Sequence, residues 1–367
     1  MATSFTHQVG GHASTILSSP LSSSTLIKPS SRTELDFYQS LGPSLGEFFN
    51  EWCPAFYGTL KLQGKVPTGN ELSDALVQPP AEAPPEMLVL ENLTHKFRKP
   101  NVLDVKLGQV LYDEASASPE KIERMKRAAE KTTSGELGLR LTGFQVWDHS
   151  QQTYVQTPKP FGRTLLPTEL DLGISRFFYP LYTSLSSIEQ STPSTSTLPD
   201  LPLPPTSFPP TLPKELLLPI LRTLVHRLNG LSKTLEGLKG FKMRGASLLI
   251  VIEGDPEVLE KSLTRVIEES TTSKSTSSGS QQYQDQIGEV EEEDEEEEEE
   301  MDDEGNAVEE SLIPFEIKLI DFAHTTLDPK REEHDKGVVV GVENLKEGLR
   351  RLVERLENDR EIEGSSA

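Results

Sequence analysis

Pro100-Asn-Val-Leu-Asp104-Val-Lys106-Leu-Gly108 sets an aspartate and a lysine two residues apart in an apolar frame of Val102, Leu103, Val105 and Leu107. Read as a strand, whose side chains alternate between faces, the stretch sends Asp104 and Lys106 one way and Leu103, Val105 and Leu107 the other. A carboxylate beside an ammonium suits a site that holds a sugar hydroxyl and a phosphate at once. An exposed strand face carrying an ion pair has the same spelling, so the pair decides the matter only with the chain around it.

Outward from that stretch, Phe315–Ile320 is an apolar strand that ends in Asp321, followed by Phe-Ala-His324-Thr325. A strand-terminal aspartate is the place from which kinases hold magnesium against ATP phosphates, and it is also a common turn residue. Near the start, Thr25-Leu-Ile-Lys28 reads as a short strand. Ser31 and Glu34 then form a capping box for a helix carrying Leu35, Phe37, Tyr38 and Leu41. A strand lysine followed by a helix with an early glutamate is how a kinase small lobe begins, although Lys28 alone reads as a solvated surface lysine. The absence of a G-x-G-x-x-G loop disfavours an ordinary protein kinase. Ala55–Leu62 and Met87–Leu93 read as strands, the second passing into the polar segment Asn92–His95.

Ser118-Pro119 supplies a cap and a first-turn proline for a helix over 119–131. Lys121, Arg124, Arg127 and Lys131, spaced three, three and four residues apart, are placed along one face, with Lys126 beside them. Such a face is either solvated, or nucleic-acid-binding, or built to draw a smaller anion against the net field of an acidic chain. Strands are predicted over Leu137–Trp147 and Thr153–Gln156, and a helix over Thr168–Phe178. A long amphipathic helix follows over Glu215–Leu238, with Gly230 the place for an interruption. Ala246–Gly254 is a buried strand by length and β-branching, and a last helix carries Leu345, Leu349, Leu352, Val353 and Leu356.

Composition bounds the rest. The 367 residues carry a formal charge of −23, and residues 289–304 alone hold fourteen Asp or Glu without a base. Residues 270–311, Ser/Thr-rich and then acidic, are read as a disordered insertion, or as an interaction tract for basic partners such as transcription or chromatin proteins. Residues 190–213 hold eight prolines and read as a linker. The single Cys53 excludes an intramolecular disulfide framework and fits a reducing compartment. Leu248–Ile252, the longest strongly apolar run, is too short to span a bilayer, and no signal peptide is read at the start.

The wording of these stretches resembles the inositol polyphosphate kinases. P-x-x-x-D-x-K-x-G at Pro100–Gly108 and I-D-F-A-H-T at Ile320–Thr325 match, as does A-S-L-L-x-V-x-E-G at Ala246–Gly254. So do H-Q-V-x-G-H from His7, T-x-x-K at Thr25–Lys28, E-x-x-F-Y at Glu34–Tyr38, Glu120-Lys121-Ile122 and K-x-[FY]-G-R at Lys159–Arg163. The likeness runs in order from His7 to about Leu356. Its two strongest motifs are shared with the pyrophosphate-forming inositol hexakisphosphate kinases. The short stretch before His7 points to the multikinase branch, and Ala323-His324 points away from the trisphosphate 3-kinases.

The resemblance implies an α+β, two-lobed kinase-like fold with antiparallel sheets, ATP bound between the lobes and an inositol-binding helical insert. Residues 1–93 would form the small ATP-binding lobe and hinge, and 94–367 the large lobe, with the inositol phosphate segment at 117–163. By the same likeness Lys28 serves the ATP phosphates, backbone groups around Glu91 and Leu93 the adenine, and Asp104 the ribose. Asp321 would hold Mg2+, and Lys106 would meet the γ-phosphate and the incoming hydroxyl. Lys121, Arg124, Arg127, Lys159 and His324 would hold existing phosphates, with Arg163 structural. The implied reaction carries inositol 1,4,5-trisphosphate to tetrakis- and pentakisphosphate, with phosphatidylinositol 4,5-bisphosphate as a further candidate. The rival reading is a scaffolding transcription cofactor using the acidic tract. A monomer in nucleus and cytoplasm, without direct nucleic-acid binding, is expected. No residue declares itself a general base.

Overall fold

The computed structural model describes residues 3–10, 16–20, 22–61, 86–114, 117–157, 159–179, 210–277 and 313–365. His12, most of the proline-rich 190–213 segment and residues 278–311 of the acidic insertion lie outside them.

Short β-prone runs near the start pair into a first antiparallel sheet. Its strands are β1 (Thr3–Ser4), β2 (Leu17–Ser18), β3 (Thr25–Pro29), β4 (Phe56–Lys61) and β5 (Glu86–Glu91), in the order β1-β2-β3-β5-β4. Between β3 and β4 lie α1 (Arg32–Asp36) and α2 (Glu47–Trp52). Ser31 caps α1 by accepting the Glu34 N–H at 3.2 Å. The second half of the expected capping box is not made. The Glu34 carboxylate instead accepts from Lys28 Nζ at 2.7 Å and from the Phe322 N–H at 3.2 Å. A charged donor and a buried amide compete better for it than a cap N–H that water can reach. The helix expected to continue through Leu41 widens into a π turn at Phe37–Leu41, which buries the consecutive rings of Phe37 and Tyr38 together. Single π turns gather near functional sites, and here Phe37 stacks on Phe322, beside Asp321, with ring centroids 3.9 Å apart.

The chain after β5 supplies β6 (Pro100–Leu107), α3 (Pro119–Glu130), α4 (Thr133–Leu137), β7 (Leu139–Asp148), β8 (Thr153–Thr157), α5 (Lys159–Thr164) and α6 (Leu170–Phe178). It continues with α7 (Lys214–Gly237), β9 (Phe241–Met243), β10 (Ser247–Glu253), α8 (Pro256–Ser277), β11 (Phe315–Ile320), β12 (Thr325–Leu327) and α9 (Lys336–Ser365). A second antiparallel sheet runs β11-β10-β6-β7-β8, and β9 pairs with β12 in a small ribbon. β6 is its central strand. Leu103, Val105 and Leu107 join the core while Asp104 and Lys106 face a cleft, as the alternation predicts. Opposite Asp104 and Val105 stand Gly143 and Leu141, so Thr142 is an extra residue in β7, and its hydroxyl donates to the Asp104 carbonyl at 3.0 Å. A bulge of this kind re-aims neighbouring side chains beside a site.

Helices α7, α9 and α6 cover the other face of this sheet. Leu217, Leu221, Leu224, Leu228, Leu231 and Leu235 of α7 are all fully or nearly buried, following the helical spacing. The expected interruption at Gly230 does not occur. Gly230 sits where even a Cβ would meet nothing within 4 Å, so the packing that fixes this helix lies on the opposite side. Helix α8 runs to Ser277, eight residues into the segment read as disordered. Prolonging a formed helix needs no new nucleus, and no Gly or Pro intervenes before Gly279. The end of the proline-rich segment is also ordered, with Leu212 buried and the Thr211 N–H bonded to the Phe178 carbonyl at 3.1 Å. Among the described residues no helix is long and apolar enough to cross a membrane.

Candidate active site

A cleft of about 990 Å³ lies between the two sheets. One wall is apolar: Leu26 and Leu90 come from the small sheet, and Val102, Leu249 and Ile320 from the large one. Leu93 and Val9 pack with the latter group. Glu91 and Leu93 border this wall at the crossing from one sheet to the other. Glu91 is tied to Ala55 twice, through its N–H to the Ala55 carbonyl at 2.9 Å and through its carboxylate from the Ala55 N–H at 3.2 Å.

At the middle of the cleft, Lys28 Nζ donates to Asp321 at 2.5 Å and to Glu34 at 2.7 Å. Burial by itself would lower the Lys28 ammonium, but the two carboxylates outweigh it and raise the group above its ordinary value. Asp321 answers in the opposite sense. Burial would raise it, and the Lys28 and Lys106 ammoniums hold it below the usual carboxylate range. Its backbone lies in the left-handed region at φ 66°, at the end of β11. Aspartate tolerates that region better than most residues, and such outliers gather at functional sites.

Asp104 lies beside this pair. Burial and the Asp321 charge push its carboxyl up, against a weaker pull from Thr142, Lys106 and Ser247. Among the described residues its Oδ1 has no hydrogen-bond partner. The N-terminal stretch passes so close that a Cβ on Gly10 would fall 1.7 Å from Asp104 Oδ2, so only glycine fits there. The same stretch lies on β7, where a Cβ on Gly143 would meet the Val9 carbonyl at 2.1 Å. Lys106 Nζ donates to the Gly245 carbonyl at 2.6 Å.

Beyond Lys106 the cleft becomes basic, with Lys131, Arg140, Arg163, Arg244 and His324 in its lining. Burial and the adjacent Arg163 guanidinium lower Arg140 below its ordinary value, and among the described residues its buried Nε has no partner. His324 is held below its ordinary value by burial and then by the nearby Lys121, against Asp113.

The basic stripe of α3 does not stay on one face. Its spacing averages less than the 3.6 residues of a turn, so the stripe winds around the helix. Met125 and Ala128 line the cleft, and half-buried Lys121, one turn before Met125, shares their face. Arg124 is exposed beside that face. Arg127 is exposed and pairs with Glu123 at 3.4 Å. Lys159 sits at the exposed start of α5 outside the cleft lining, whereas Arg163, one turn on, lies within it. The structure therefore brings Lys28, Asp104, Lys106, Asp321 and His324 into one cleft, with Glu91 and Leu93 at its rim. It leaves Arg127 and Lys159 apart.

A sequence profile described as inositol polyphosphate kinase matches residues 87–201 and 212–350. The chain belongs to the inositol polyphosphate kinase family. Over 180 residues it is 29% identical to the inositol polyphosphate multikinase of Schizosaccharomyces pombe, covering 47% of this chain and 62% of that one. It is 34% identical over 164 residues to the Saccharomyces cerevisiae multikinase, covering 38% and 45%. Human inositol hexakisphosphate kinase 1 is 28% identical over 267 residues, covering 71% and 51%. The chain thus spans about half to two thirds of the length of these relatives. The crystal structure of the S. cerevisiae multikinase Ipk2 with ADP and Mn2+ shares the fold, with a TM-score of 0.54 at 24% identity over 90% of this chain and 99% of that one.

Within this family fold, sequence reasoning passed over Arg140 and Arg244, named Lys131 only as part of the basic stripe of α3, and took Arg163 as structural. Arg140 carried a readable signal, since it is the one charge of β7 before the terminal Asp148. Arg244 reaches the cleft by a chain crossing that no local pattern encodes. Among the described residues no three His, Cys, Asp or Glu side chains cluster as a metal site. The Asp321 carboxylate, in the lining of the cleft, offers an oxygen donor that fits a divalent cation shared with nucleotide phosphates.

Proposed function

We propose that the protein transfers the γ-phosphoryl group of ATP to a hydroxyl of inositol polyphosphates, with inositol 1,4,5-trisphosphate as substrate. The observation that carries this reading is the cleft's gradient. It runs from an apolar wall, through Lys28, Asp321 and Asp104, to Arg140 beside Arg163, the Arg140 Nε having no partner among the described residues. The Arg163 guanidinium adds to burial in holding Arg140 below its ordinary value, and an anion bound between the two would relieve that repulsion, as in a receptor for a polyanion.

Adenine would lie along the apolar wall against backbone groups around Glu91 and Leu93, and the ribose hydroxyls would meet Asp104 Oδ1, an acceptor without a donor. Lys28 would leave Asp321 for the phosphates while Glu34 keeps its ammonium oriented. Asp321 would hold Mg2+, which supplies charge neutralisation on the phosphates. Lys106, steadied by the Gly245 carbonyl, would face the transferred phosphoryl group. Arg140, Arg163, Lys131, Lys121 and His324 would hold phosphates already on the ring. Phosphoryl transfer needs positioning and electrostatic stabilisation rather than covalent help from the protein, and this arrangement provides both. The test is incubation of the purified chain with labelled ATP, Mg2+ and inositol 1,4,5-trisphosphate, followed by separation of products. Tetrakis- and then pentakisphosphate are expected. Label appearing only on inositol hexakisphosphate offered in parallel would replace the multikinase reading with the pyrophosphate-forming one.

A further inference from the structure

Arg244 lines the cleft, yet its charge is already answered. Its Nη1 donates to Asp335 at 2.5 Å, and its Nε and Nη2 straddle the Glu114 carboxylate at 3.2 and 3.0 Å. Two carboxylates on one buried guanidinium balance its charge and occupy its Nε, Nη1 and Nη2, so it has little to attract a substrate phosphate. The two arms differ in kind. Asp335, which also accepts the Met243 N–H at 3.1 Å and precedes α9, is buried with Arg244. Glu114 has its side chain 45% exposed and belongs to the segment that leads from β6 to the Ser118 cap of α3.

The backbone at this point is equally committed to the site. The Arg244 N–H donates to the His324 carbonyl at 3.3 Å, and the next residue, Gly245, offers its carbonyl to Lys106 Nζ. Arg244 thus joins the strand that carries Lys106 and the turn that carries His324 to the entrance of the helix whose Met125 and Ala128 line the cleft, with Lys121 one turn earlier on the same face. We propose that Arg244 is a positioning residue, and that its bidentate link to Glu114 sets the distance of α3 from the catalytic strands and thereby the affinity for inositol polyphosphate. This deepens the reading of the cleft as an inositol phosphate site and rests on it.

The experiment compares the full chain with Glu114→Gln, Arg244→Lys and the double variant, in steady-state kinetics with ATP and inositol 1,4,5-trisphosphate. Each single change raises KM for the inositol phosphate about 5- to 10-fold, with kcat and KM for ATP held within about twofold. The double variant is no worse than the poorer single one, because both break one link. An unchanged KM in Glu114→Gln, or equal changes in both KM values, overturns the proposal. Should Arg244→Lys not fold, Glu114→Gln decides alone, since its side chain is partly exposed and in a loop. Amide hydrogen exchange without substrate gives a readout independent of turnover. Glu114→Gln should speed exchange across Pro119–Glu130 and leave Ser247–Glu253 unaffected, and unchanged exchange in α3 likewise overturns the link. A wild-type chain inactive on inositol phosphates would instead defeat the functional reading while the exchange result still judges the link.

Discussion

Asp104 costs the folded protein stability. Its carboxyl is raised by burial and by Asp321, so the folded state disfavours the charge that the unfolded chain carries freely. For a carboxylate raised on folding, the cost is present at neutral pH and disappears as pH falls through the folded value. Asp104→Asn should therefore melt higher than the wild type at pH 7 without nucleotide, by a margin that narrows on acidification, while KM for ATP rises steeply. Calorimetry at pH 7 and pH 5 checks the first half, and a lower melting point for the variant at pH 7 would contradict it. Asp321 has the opposite sign, being depressed by Lys28, so its contribution is present above the unfolded carboxylate value and lost below it. Asp321→Asn should reduce turnover at least about a thousandfold, the scale of removing a principal charge stabiliser from phosphoryl transfer, in a chain that still folds. Retained turnover in a folded variant would take Asp321 out of the mechanism. At this scale the sequence was legible wherever a motif spells a strand: Asp104, Lys106 and Asp321 stand where alternation and strand ends put them. Glu34 was misread because the Lys28 ammonium that claims it lies across a turn, outside the capping box.

Among the elements, α3 carries both a cleft-lining face and a solvated surface on one helix. Lys121 shares the cleft face with Met125 and Ala128, while Arg127 is exposed and paired with Glu123. A charge-assisted contact is worth about 1.5–3 kcal/mol, so Lys121→Ala should raise KM for inositol phosphate roughly 10- to 100-fold and KM for ATP little. Arg127→Ala, breaking only an exposed pair, should change either KM by no more than about twofold. Kinetics in rising salt provides a second check, since screening weakens the Lys121 contact. Type and extent of the long elements were readable from apolar spacing, as the buried leucines of α7 attest. The π turn at Phe37–Leu41 and the twist of the basic stripe were not, because each depends on what packs against the helix.

For the whole molecule, the acidic insertion should be dispensable for chemistry. Replacing residues 280–311 by a short Gly/Ser bridge, which spares α8 through Ser277, should leave kcat within about twofold and the melting point unchanged, on the ground that such a composition builds no core. A collapse of either would show that the tract belongs to the folded unit. The second sheet has a further consequence, for the order in which the chain can assemble. Its central β6 ends at Leu107, but one of its two neighbours, β10, begins only at Ser247, and the strand that delivers Asp321 begins at Phe315. Lys28 and its partner Asp321 are 293 positions apart. While a ribosome is still making the middle of the chain, β6 has β7 on one side and an open edge of Val and Leu on the other, the kind of surface on which nascent chains misassociate. The Lys28–Asp321 pair closes only after nearly nine tenths of the protein exists, so a chain that stops short of β11 carries Lys28 and Asp104 without ever forming that pair.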